Sequence, residues 1–425
     1  MTQLSSTHDA PAPACPADGP GAHYRPFDHA GMYAFFARVR PETPAFFCPG
    51  INYWVITRRA DILPILRDAQ RYSAAIAMSP VQPLPPAALA YLQREGYGVE
   101  ATQVSCDPPK HTRIRAFAGQ LLSQKRFMAI EPAVREIVIR FCRRLEGRGR
   151  VDMVADFAYE LPAHVIFQIL GIPDRDTPKI KAWADDRLLF TFGALDEAAQ
   201  LRAAARMVDY WRYCVALVED RKRTPRDDYA SHLLAFRNGD DARLTENEIA
   251  SLVFGLLLAG HETTTNMTSN ALHALLSHRD QWERLVREPA LIANAVEETL
   301  RFASSVVCWR RRALVDVDIG GIAIPQGSNI LLALGSANHD EAHFDTPERL
   351  DITRANARDH VSFGHGLHFC LGAPLARLEL RIILEELTRR FPDMHLVDDQ
   401  PLDMIRTIAF RGPHTLWVTL KETRA

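Results

Sequence analysis

The sequence contains no long hydrophobic run and few cysteines. No stretch of about 18 consecutive apolar residues occurs among its 425 residues, so we expect no helix that spans a membrane. The seven cysteines are scattered, form no CxxC pair and give no disulfide framework. Free cysteines of this kind are typical of a reducing compartment, and they predict a cytoplasmic protein.

The sequence also lacks an excess of charge of either sign. It has 50 Lys and Arg residues against 52 Asp and Glu residues, for a formal net charge of −2. A near-neutral chain is not expected to bind nucleic acid over its surface.

We expect one large domain. Residues 1–22 are rich in Ala, Pro, Gly, Ser and Asp and lack the apolar core of a signal peptide, so they predict a disordered tail. The length alone suggests about three domains, but no linker interrupts the rest of the sequence. We therefore predict a single domain over residues 23–425.

The hydrophobic periodicity predicts a mainly α fold with a small β part. Residues 73–106, which carry several prolines and glycines, are expected to form a long irregular loop. A capping box at Thr245–Glu248 begins a helix that is expected to reach Ser277 and cross the middle of the fold. Other helices are predicted at 60–66, 110–127, 132–145, 157–170, 178–222 and 289–302, and strands at 53–58, within 306–334 and near 405–420.

One cysteine, Cys370, lies in the glycine-rich stretch 363–372, directly before a helical pattern that starts near Ala373. A helix N-terminus favours an anion, so this position predicts a lowered thiol pKa and a metal-binding thiolate. Gly366 and Gly372 can take positive φ angles and allow a bulky group to approach the backbone. A lone cysteine is also compatible with a small buried hydrophobe, and the residues alone leave both readings open.

The whole stretch resembles the haem-binding loop of the cytochrome P450 superfamily, F-x-x-G-x-[HR]-x-C-x-G. The matching positions are Phe363, Gly366, His368, Cys370 and Gly372. The resemblance implies a cytochrome P450 fold with a long central helix over the haem, haem b as cofactor, and Cys370 as the axial ligand of the haem iron.

The long helix contains Ala259-Gly260-His261-Glu262-Thr263-Thr264. Glycine is unfavourable within a helix, and the Thr263 hydroxyl can bond the carbonyl one turn back, so a kink is expected. A carboxyl beside a hydroxyl can deliver protons, although a kink with a solvated glutamate is also compatible with these residues. The segment is similar to the family motif [AG]-G-x-[DE]-T-[TS]. That similarity implies catalytic roles for Glu262 and Thr263 and places Ala259 beside the cofactor.

A second helix carries Glu298 and Arg301, which share a face because they are three residues apart. Taken alone, such a pair is a common solvated ion pair. The resemblance implies a structural role in which both are locked to a later arginine, which we assign to Arg349 in the segment Pro347-Glu348-Arg349.

Cationic groups for the two haem propionates are expected in three places. His111 and Arg115 lie one helical turn apart in a D-P-P-x-H-x-x-x-R segment that resembles a family helix. Arg311 matches a family strand arginine, with Arg310 and Arg312 left open as neighbours, since strand alternation turns only odd or only even positions inward. His368 matches a further propionate position.

The substrate contacts are expected to be apolar, although each of these residues is equally compatible with the plain core. Such a lining implies a small-to-medium apolar substrate, which can be aromatic. The candidates are Ile76, Met78, Phe190, Leu256, Val306 and Val307.

These resemblances imply a haem-thiolate monooxygenase that inserts one oxygen atom from O2 by hydroxylation or O-dealkylation. Electrons from NAD(P)H would arrive through a ferredoxin or a fused or separate reductase. Segments 304–311 and 335–340 also resemble the haem domains of self-sufficient, reductase-fused members. The chain carries no nucleotide fingerprint or C-terminal cysteine cluster, so a stand-alone protein and an excised haem domain both stay open. A peroxide-driven peroxygenase, a non-catalytic haem sensor and a haem-free scaffold are the alternatives.

Overall fold

A computed structural model describes residues 19–420, which are mainly helical. The α-helices are α1 Pro20–His23, α2 Met32–Val39, α3 Arg59–Arg67, α4 Pro86–Arg94, α5 Lys110–Leu121, α6 Gln124–Ala129, α7 Glu131–Leu145, α8 Leu161–Leu170, α9 Thr177–Phe192, α10 Glu197–Arg223, α11 Tyr229–Arg237, α12 Glu246–Ala259, α13 Glu262–Ser277, α14 Arg279–Arg287, α15 Ile292–Phe302, α16 Leu334–Ala337 and α17 Ala373–Arg390. The strands are β1 Ala45–Cys48, β2 Tyr53–Ile56, β3 Tyr72–Ser73, β4 Arg150–Asp152, β5 Trp309–Ala313, β6 Val317–Ile319, β7 Ile322–Ile324, β8 Asn329–Leu332, β9 His395–Leu396 and β10 Trp417–Thr419. The predicted class, mainly α with a small β part, is confirmed.

The strands form three small sheets within the described part of the chain. The largest has the order β1-β2-β8-β5-β3, and its β2–β8 pair is parallel while the other pairs are antiparallel. β4, β10 and β9 form a second sheet, and β6 with β7 forms a hairpin. The parallel pair joins chain segments almost 280 residues apart, Trp54 to Ile330, and so ties the N-terminal region to the C-terminal half.

The predicted long helix is present but divided. Its start is as expected, because the Thr245 side chain accepts from the Glu248 N–H and the Glu248 side chain accepts from the Thr245 N–H. The helix stops at Ala259 and resumes at Glu262. At Gly260, a Cβ atom would lie 2.4 Å from Cγ1 of Ile166, so glycine allows α8 to approach the break closely.

Four sequence-based boundaries need correction. The loop 73–106 contains helix α4, because its prolines precede the helix and Pro86 occupies the first turn, where a missing N–H costs nothing. The helical stretch 178–222 divides between α9 and α10 near Gly193. Within the predicted tail 1–22, residues 20–22 belong to α1, and residues 1–18 lie outside the described part. Near 405–420 the described chain has β10 and isolated bridges instead of several strands.

The helical core packs around α13, α15 and α17, which contact one another. Fully buried side chains of this core include Leu272, Leu275, Trp282, Ile382 and Ile383. Among residues 19–420, none of the helices combines the length and the apolar character that crossing a bilayer requires.

Candidate active site

A single cavity connects the broken central helix with the loop before α17. Leu256, Ala259, Gly260 and Thr263 line it from α12 and α13. Residues Phe363–Gly372 line it from the loop, with the exceptions of Gly366 and Leu367. The cavity therefore brings together the two motifs that the sequence analysis singled out.

The Cys370 loop is folded so that the sulfur faces this cavity. The Cys370 backbone N–H donates to the Phe363 carbonyl oxygen at 3.0 Å and closes the loop. Gly366 has a φ of +69°, and a Cβ there would lie 2.7 Å from the Leu66 carbonyl oxygen, so this position requires glycine. Gly372 has a φ of −80°, in contrast to the positive angle that the sequence analysis allowed for it.

The pKa of the Cys370 thiol is shifted in the opposite direction to the one that the sequence predicted. Burial raises the pKa of the Cys370 thiol, and this outweighs the lowering by the backbone N–H groups of Gly372 and Ala373 and by Arg115 and Arg377. The predicted lowering of the thiol pKa is therefore wrong for the free side chain. Coordination to a metal ion deprotonates a thiol outright, and these N–H groups and arginines would then favour the thiolate.

Two arginines lie at the cavity wall without a carboxylate partner among the described residues. Arg115 Nη2 donates to the Phe369 carbonyl oxygen at 2.6 Å, and Arg311 Nη1 donates to the Arg310 carbonyl oxygen at 2.8 Å. Burial lowers the pKa of Arg311 to about 10. Both guanidinium groups therefore keep donors available for an anion in the cavity.

The structure separates the three consecutive arginines of β5. Arg311 lines the cavity. Arg310 donates to the Ala77 carbonyl oxygen at 2.7 Å, and Arg312 lies against the side chain of Asn329. The choice that strand alternation left open thus falls on Arg311.

Two histidines, one buried and one half-buried, lie beside these arginines. The rings of His111 and His368 are 4.4 Å apart, and His368 Nδ1 donates to the Gln103 carbonyl oxygen at 3.0 Å. His368 lines the cavity, whereas His111 is fully buried behind it. Both nitrogens of His111 and Nε2 of His368 are buried without a hydrogen-bond partner among the described residues.

These orphaned atoms and the two free arginines fit a dianionic group such as the two propionates of haem. Buried polar atoms are rarely left without partners, so their presence at one edge of the cavity indicates a polar ligand there. Burial lowers the pKa of His368 to about 4, and a nearby carboxylate would raise it again and favour a proton on Nε2. The cysteine sulfur, the glycine cradle and this basic edge suit the same flat cofactor.

The acid and the alcohol of the central helix occupy different environments. The Thr263 hydroxyl donates to the Ala259 carbonyl oxygen at 2.9 Å, as the kink predicted, and Thr263 lines the cavity. Glu262 does not line the cavity; its carboxylate is buried behind the helix and ion-paired with Lys181. The two side chains are therefore neighbours in sequence but do not point into the same space.

Glu262 belongs to a buried charged cluster that the sequence analysis missed. His261 Nε2 lies 2.9 Å from Glu262 Oε1, although the ring N–H is not aligned for a hydrogen bond. Lys181 Nζ also lies 3.8 Å from the centre of the Tyr159 ring, and the Tyr159 hydroxyl donates to Asp185. Burial alone would raise the pKa of Glu262, but Lys181 and His261 outweigh burial and lower it. Lys181 lies in the helical stretch 178–222, whose sequence gives no signal for this role.

The structure brings together two of the three residues that were predicted to form a structural ion pair. Arg301 binds Glu298 through both Nε and Nη2 at 2.8 Å, and both side chains are fully buried. The third member is Arg354, whose Nε donates to Glu298 Oε1 at 3.1 Å. Arg349 was the wrong choice, because its side chain is exposed and only its carbonyl oxygen accepts from Arg301, at 3.2 Å.

Half of the residues predicted to contact the substrate line the cavity, and half do not. Met78, Leu256 and Val306 line the cavity, whereas Ile76, Phe190 and Val307 pack into the core and are absent from the cavity wall. Strand-like alternation places neighbouring side chains on opposite sides, which explains why Val306 faces the cavity and Val307 does not.

Two buried charged residues at the cavity were not foreseen. Arg187 of α9 is 7% exposed and lines the wall near Leu256. Glu379 of α17 is 1% exposed and has no partner for either carboxylate oxygen among the described residues, so burial raises its pKa well above the ordinary value. Both lie within helices, α9 and α17, where sequence spacing does not distinguish a charged cavity residue from a solvated one.

A sulfur ligand in a glycine cradle, facing a cavity with a basic edge, is the arrangement of haem-thiolate proteins. Comparison with known proteins gives the family. The family model described as Cytochrome P450 matches residues 86–411, and the chain belongs to this family. Its members bind haem b and act as monooxygenases that use O2 and redox partners.

The similar proteins include both separate and reductase-fused members. The chain is 35% identical over 397 residues to 6-deoxyerythronolide B hydroxylase of Saccharopolyspora erythraea, covering 92% of this chain and 96% of the relative. A structure of cytochrome P450 CREJ in complex with (4-ethylphenyl) dihydrogen phosphate is 39% identical, with a TM-score of 0.90 and coverage of 94% and 99%. Full-length CYP116B46 from Tepidiphilus thermophilus is 35% identical with a TM-score of 0.90, and the match covers 93% of this chain and 53% of that one. The chain has the cytochrome P450 fold.

Proposed function

We propose that this cytochrome P450 monooxygenase inserts one oxygen atom into a small-to-medium substrate with an apolar, in part aromatic, body. The observation that carries the proposal is the single cavity shared by Cys370 and Thr263, because the reaction needs an iron ligand and a proton-delivering hydroxyl in the same space. Residues 23–425 would act as one haem-thiolate domain. A thiolate-held haem supplies the dioxygen-activating chemistry of the family.

In this proposal, the loop and the basic edge hold the cofactor. Cys370 would hold the iron of the cofactor, Gly366 and Gly372 would let the loop approach it, and Phe363 and Phe369 would limit access of water to the sulfur. Arg115, Arg311, His111 and His368 would hold the propionates. Both nitrogens of His111 and Nε2 of His368 lack a partner among the described residues, whereas each arginine also donates to one carbonyl oxygen. Ala259, at the helix break, would lie beside the bound cofactor.

Thr263 and Glu262 divide the proton delivery between them. Thr263 presents its hydroxyl at the cavity wall and hands over the proton there. Glu262 lies behind the helix, where Lys181 keeps it ionised and lowers its affinity for a proton, so that it would pass a proton on instead of retaining it.

The apolar wall supports the proposed substrate body. Met78, Leu256 and Val306 line the cavity with Leu252 and Phe410. The related structure that contains an ethylphenyl phosphate supports an aromatic body of modest size in a cavity of this architecture. Electrons would come from NAD(P)H through a ferredoxin or a separate or fused reductase.

The test compares Thr263→Ala with Thr263→Ser in turnover with a surrogate reductase, NAD(P)H and an apolar substrate. We expect Thr263→Ala to hold haem normally but to divert electrons to hydrogen peroxide, whereas Thr263→Ser retains coupling because it keeps the hydroxyl. Equal coupling in both variants would contradict the assigned role. Turnover with peroxide alone at the reductase-driven rate would favour a peroxygenase, and absence of turnover with either supply would favour a sensor.

A further inference from the structure

Arg187 places a buried positive charge in the wall of an otherwise apolar part of the cavity. Its side chain extends from α9 and is 7% exposed. The guanidinium donates to the Phe254 carbonyl oxygen of α12, and its carbon lies 3.9 Å from the centre of the Phe254 ring. Leu252, Gly255 and Leu256 of the same helix continue the cavity wall from that point.

Within residues 19–420, this guanidinium has no anionic partner. A guanidinium has five N–H donors, and the recorded hydrogen bond of Arg187 uses a neutral carbonyl oxygen. The adjacent Asp186 is directed to Arg206, at 3.6 Å, and Glu262 is bound to Lys181.

The other titratable groups that face Arg187 do not neutralise it. Burial raises the pKa of Tyr97, of Tyr210 and of the Cys214 thiol, so all three stay uncharged at neutral pH. A buried charge without a counter-ion is costly, and proteins place such charges where a ligand or partner supplies the opposite charge.

We infer that Arg187 binds an acidic group of the substrate, a carboxylate or a phosphate monoester, so that the substrate is an apolar or aromatic body with one acidic end. This inference rests on the proposed function and names the substrate class of the same site. A guanidinium matches either acid with paired hydrogen bonds, and its aromatic, water-poor surroundings strengthen the attraction.

The position of Arg187 also orients the substrate. Its anchor, Phe254, lies five residues before Ala259, the last residue of α12, which corresponds to about 7.5 Å along the helix axis toward the break. An acid held at Arg187 therefore directs the apolar end along Leu256 and Ala259 toward Thr263 and the Cys370 loop. Oxidation is expected at the end of the substrate far from the acid.

Binding of three matched probes tests the inference. The substrate-induced spin-state change of the haem protein is titrated with 4-ethylphenyl phosphate, 4-ethylbenzoate and neutral 4-ethylphenol. We expect at least one acid to bind at least about tenfold more tightly than the phenol, as a charge-assisted contact predicts. The tighter of the two acids identifies the group that the site prefers.

Variants then assign the preference to Arg187. Arg187→Gln is expected to remove the preference for the acid and to change the affinity for the phenol by no more than about twofold. Arg187→Lys is expected to keep part of the preference for the acid, because lysine retains the charge but not the paired geometry. Arg206→Gln is the matched control; it removes one positive charge from an exposed position and is expected to retain the preference. Equal loss of acid and phenol binding in Arg187→Gln would overturn the inference.

The outcomes separate this inference from the proposed function. If the wild-type protein gives a thiolate-type carbon monoxide spectrum but binds no acid more tightly than the phenol, the inference fails and the proposed function stands. If that spectrum is absent, the proposed function fails. If Arg187→Gln is unstable, Arg187→Lys provides the assignment, because it keeps the charge but loses the paired geometry and is expected to lose part of the preference.

Discussion

Two buried carboxyl groups near the cavity carry different charges. Glu262 lies against Lys181, which lowers its pKa, whereas burial without a cation raises the pKa of Glu379. The same residue type is therefore an ionised acceptor in one place and a neutral donor in the other. At the scale of single residues, the partner decides the charge, and the sequence around either glutamate does not reveal that partner.

The ion pair of Glu262 gives a pH-dependent contribution to stability. Since the pKa of Glu262 is lowered on folding, its contribution is present above the unfolded value of about 4.3 and is lost as the pH falls toward the folded value. When the pH is lowered from about 5 to about 3, we expect the free energy of unfolding to fall less for Glu262→Gln than for the wild type. Urea denaturation at both pH values measures this difference. An identical loss in both proteins would contradict this assignment.

Removing the buried cation alone should destabilise the protein strongly. Lys181→Met leaves a buried carboxylate without its counter-ion, with an expected cost of about 3–5 kcal/mol. The double variant Lys181→Met with Glu262→Gln serves as control and should recover most of that loss. A double variant as unstable as Lys181→Met would mean that packing, and not charge, explains the effect.

At the scale of elements, the divided central helix forms one wall of the cavity, opposite the Cys370 loop. The sequence predicted its start from the capping box and a kink from Gly260 and Thr263, but not a full interruption. The interruption depends on α8, because Ile166 occupies the space beside Gly260. A contact between distant segments of this kind leaves no periodic signal in either segment.

Two glycines of the same helix provide a matched comparison. A Cβ at Gly260 would lie 2.4 Å from Ile166 Cγ1 and 2.9 Å from the Leu256 carbonyl oxygen, whereas a Cβ at Gly255 meets nothing within 4 Å. We expect Gly260→Ala to destabilise the protein by about 1–3 kcal/mol. Gly255→Ala should be neutral or stabilise by up to about 1 kcal/mol through helix propensity. Thermal unfolding of both haem-loaded variants measures the difference, and a Gly260→Ala protein as stable as Gly255→Ala would refute the packing explanation.

At the scale of the whole molecule, long-range contacts join the segments that build the site. Glu298 and Arg301 of α15 bind a loop near residue 350, and the loop residue Asn338 accepts from Arg301 at 2.9 Å. The family motifs predicted which segments form the site, because each motif is a local stretch of sequence. The identity of the third arginine was not predictable, since Arg349 and Arg354 both follow the helix at suitable distances and only the folded loop decides between them.

The buried ion pair should respond very differently to two substitutions. Glu298→Ala leaves Arg301 buried without its acid, and the expected loss is about 3–5 kcal/mol with impaired haem retention. Arg349→Ala removes an exposed side chain, and the expected change is within about 0.5 kcal/mol. Denaturant unfolding of the two variants measures both, and a large loss in Arg349→Ala would restore the sequence-based assignment.

The carbon monoxide spectrum of the reduced protein tests the central claim most directly, for the wild type and for Cys370→Ala. A thiolate ligand predicts a strongly red-shifted Soret band in the wild type that disappears in Cys370→Ala. Cys308→Ala is the control and is expected to keep the red-shifted band, because Cys308 is buried away from the cavity wall. A band typical of histidine ligation in the wild type, or a red-shifted band that persists in Cys370→Ala, would contradict the assignment of Cys370 as the iron ligand.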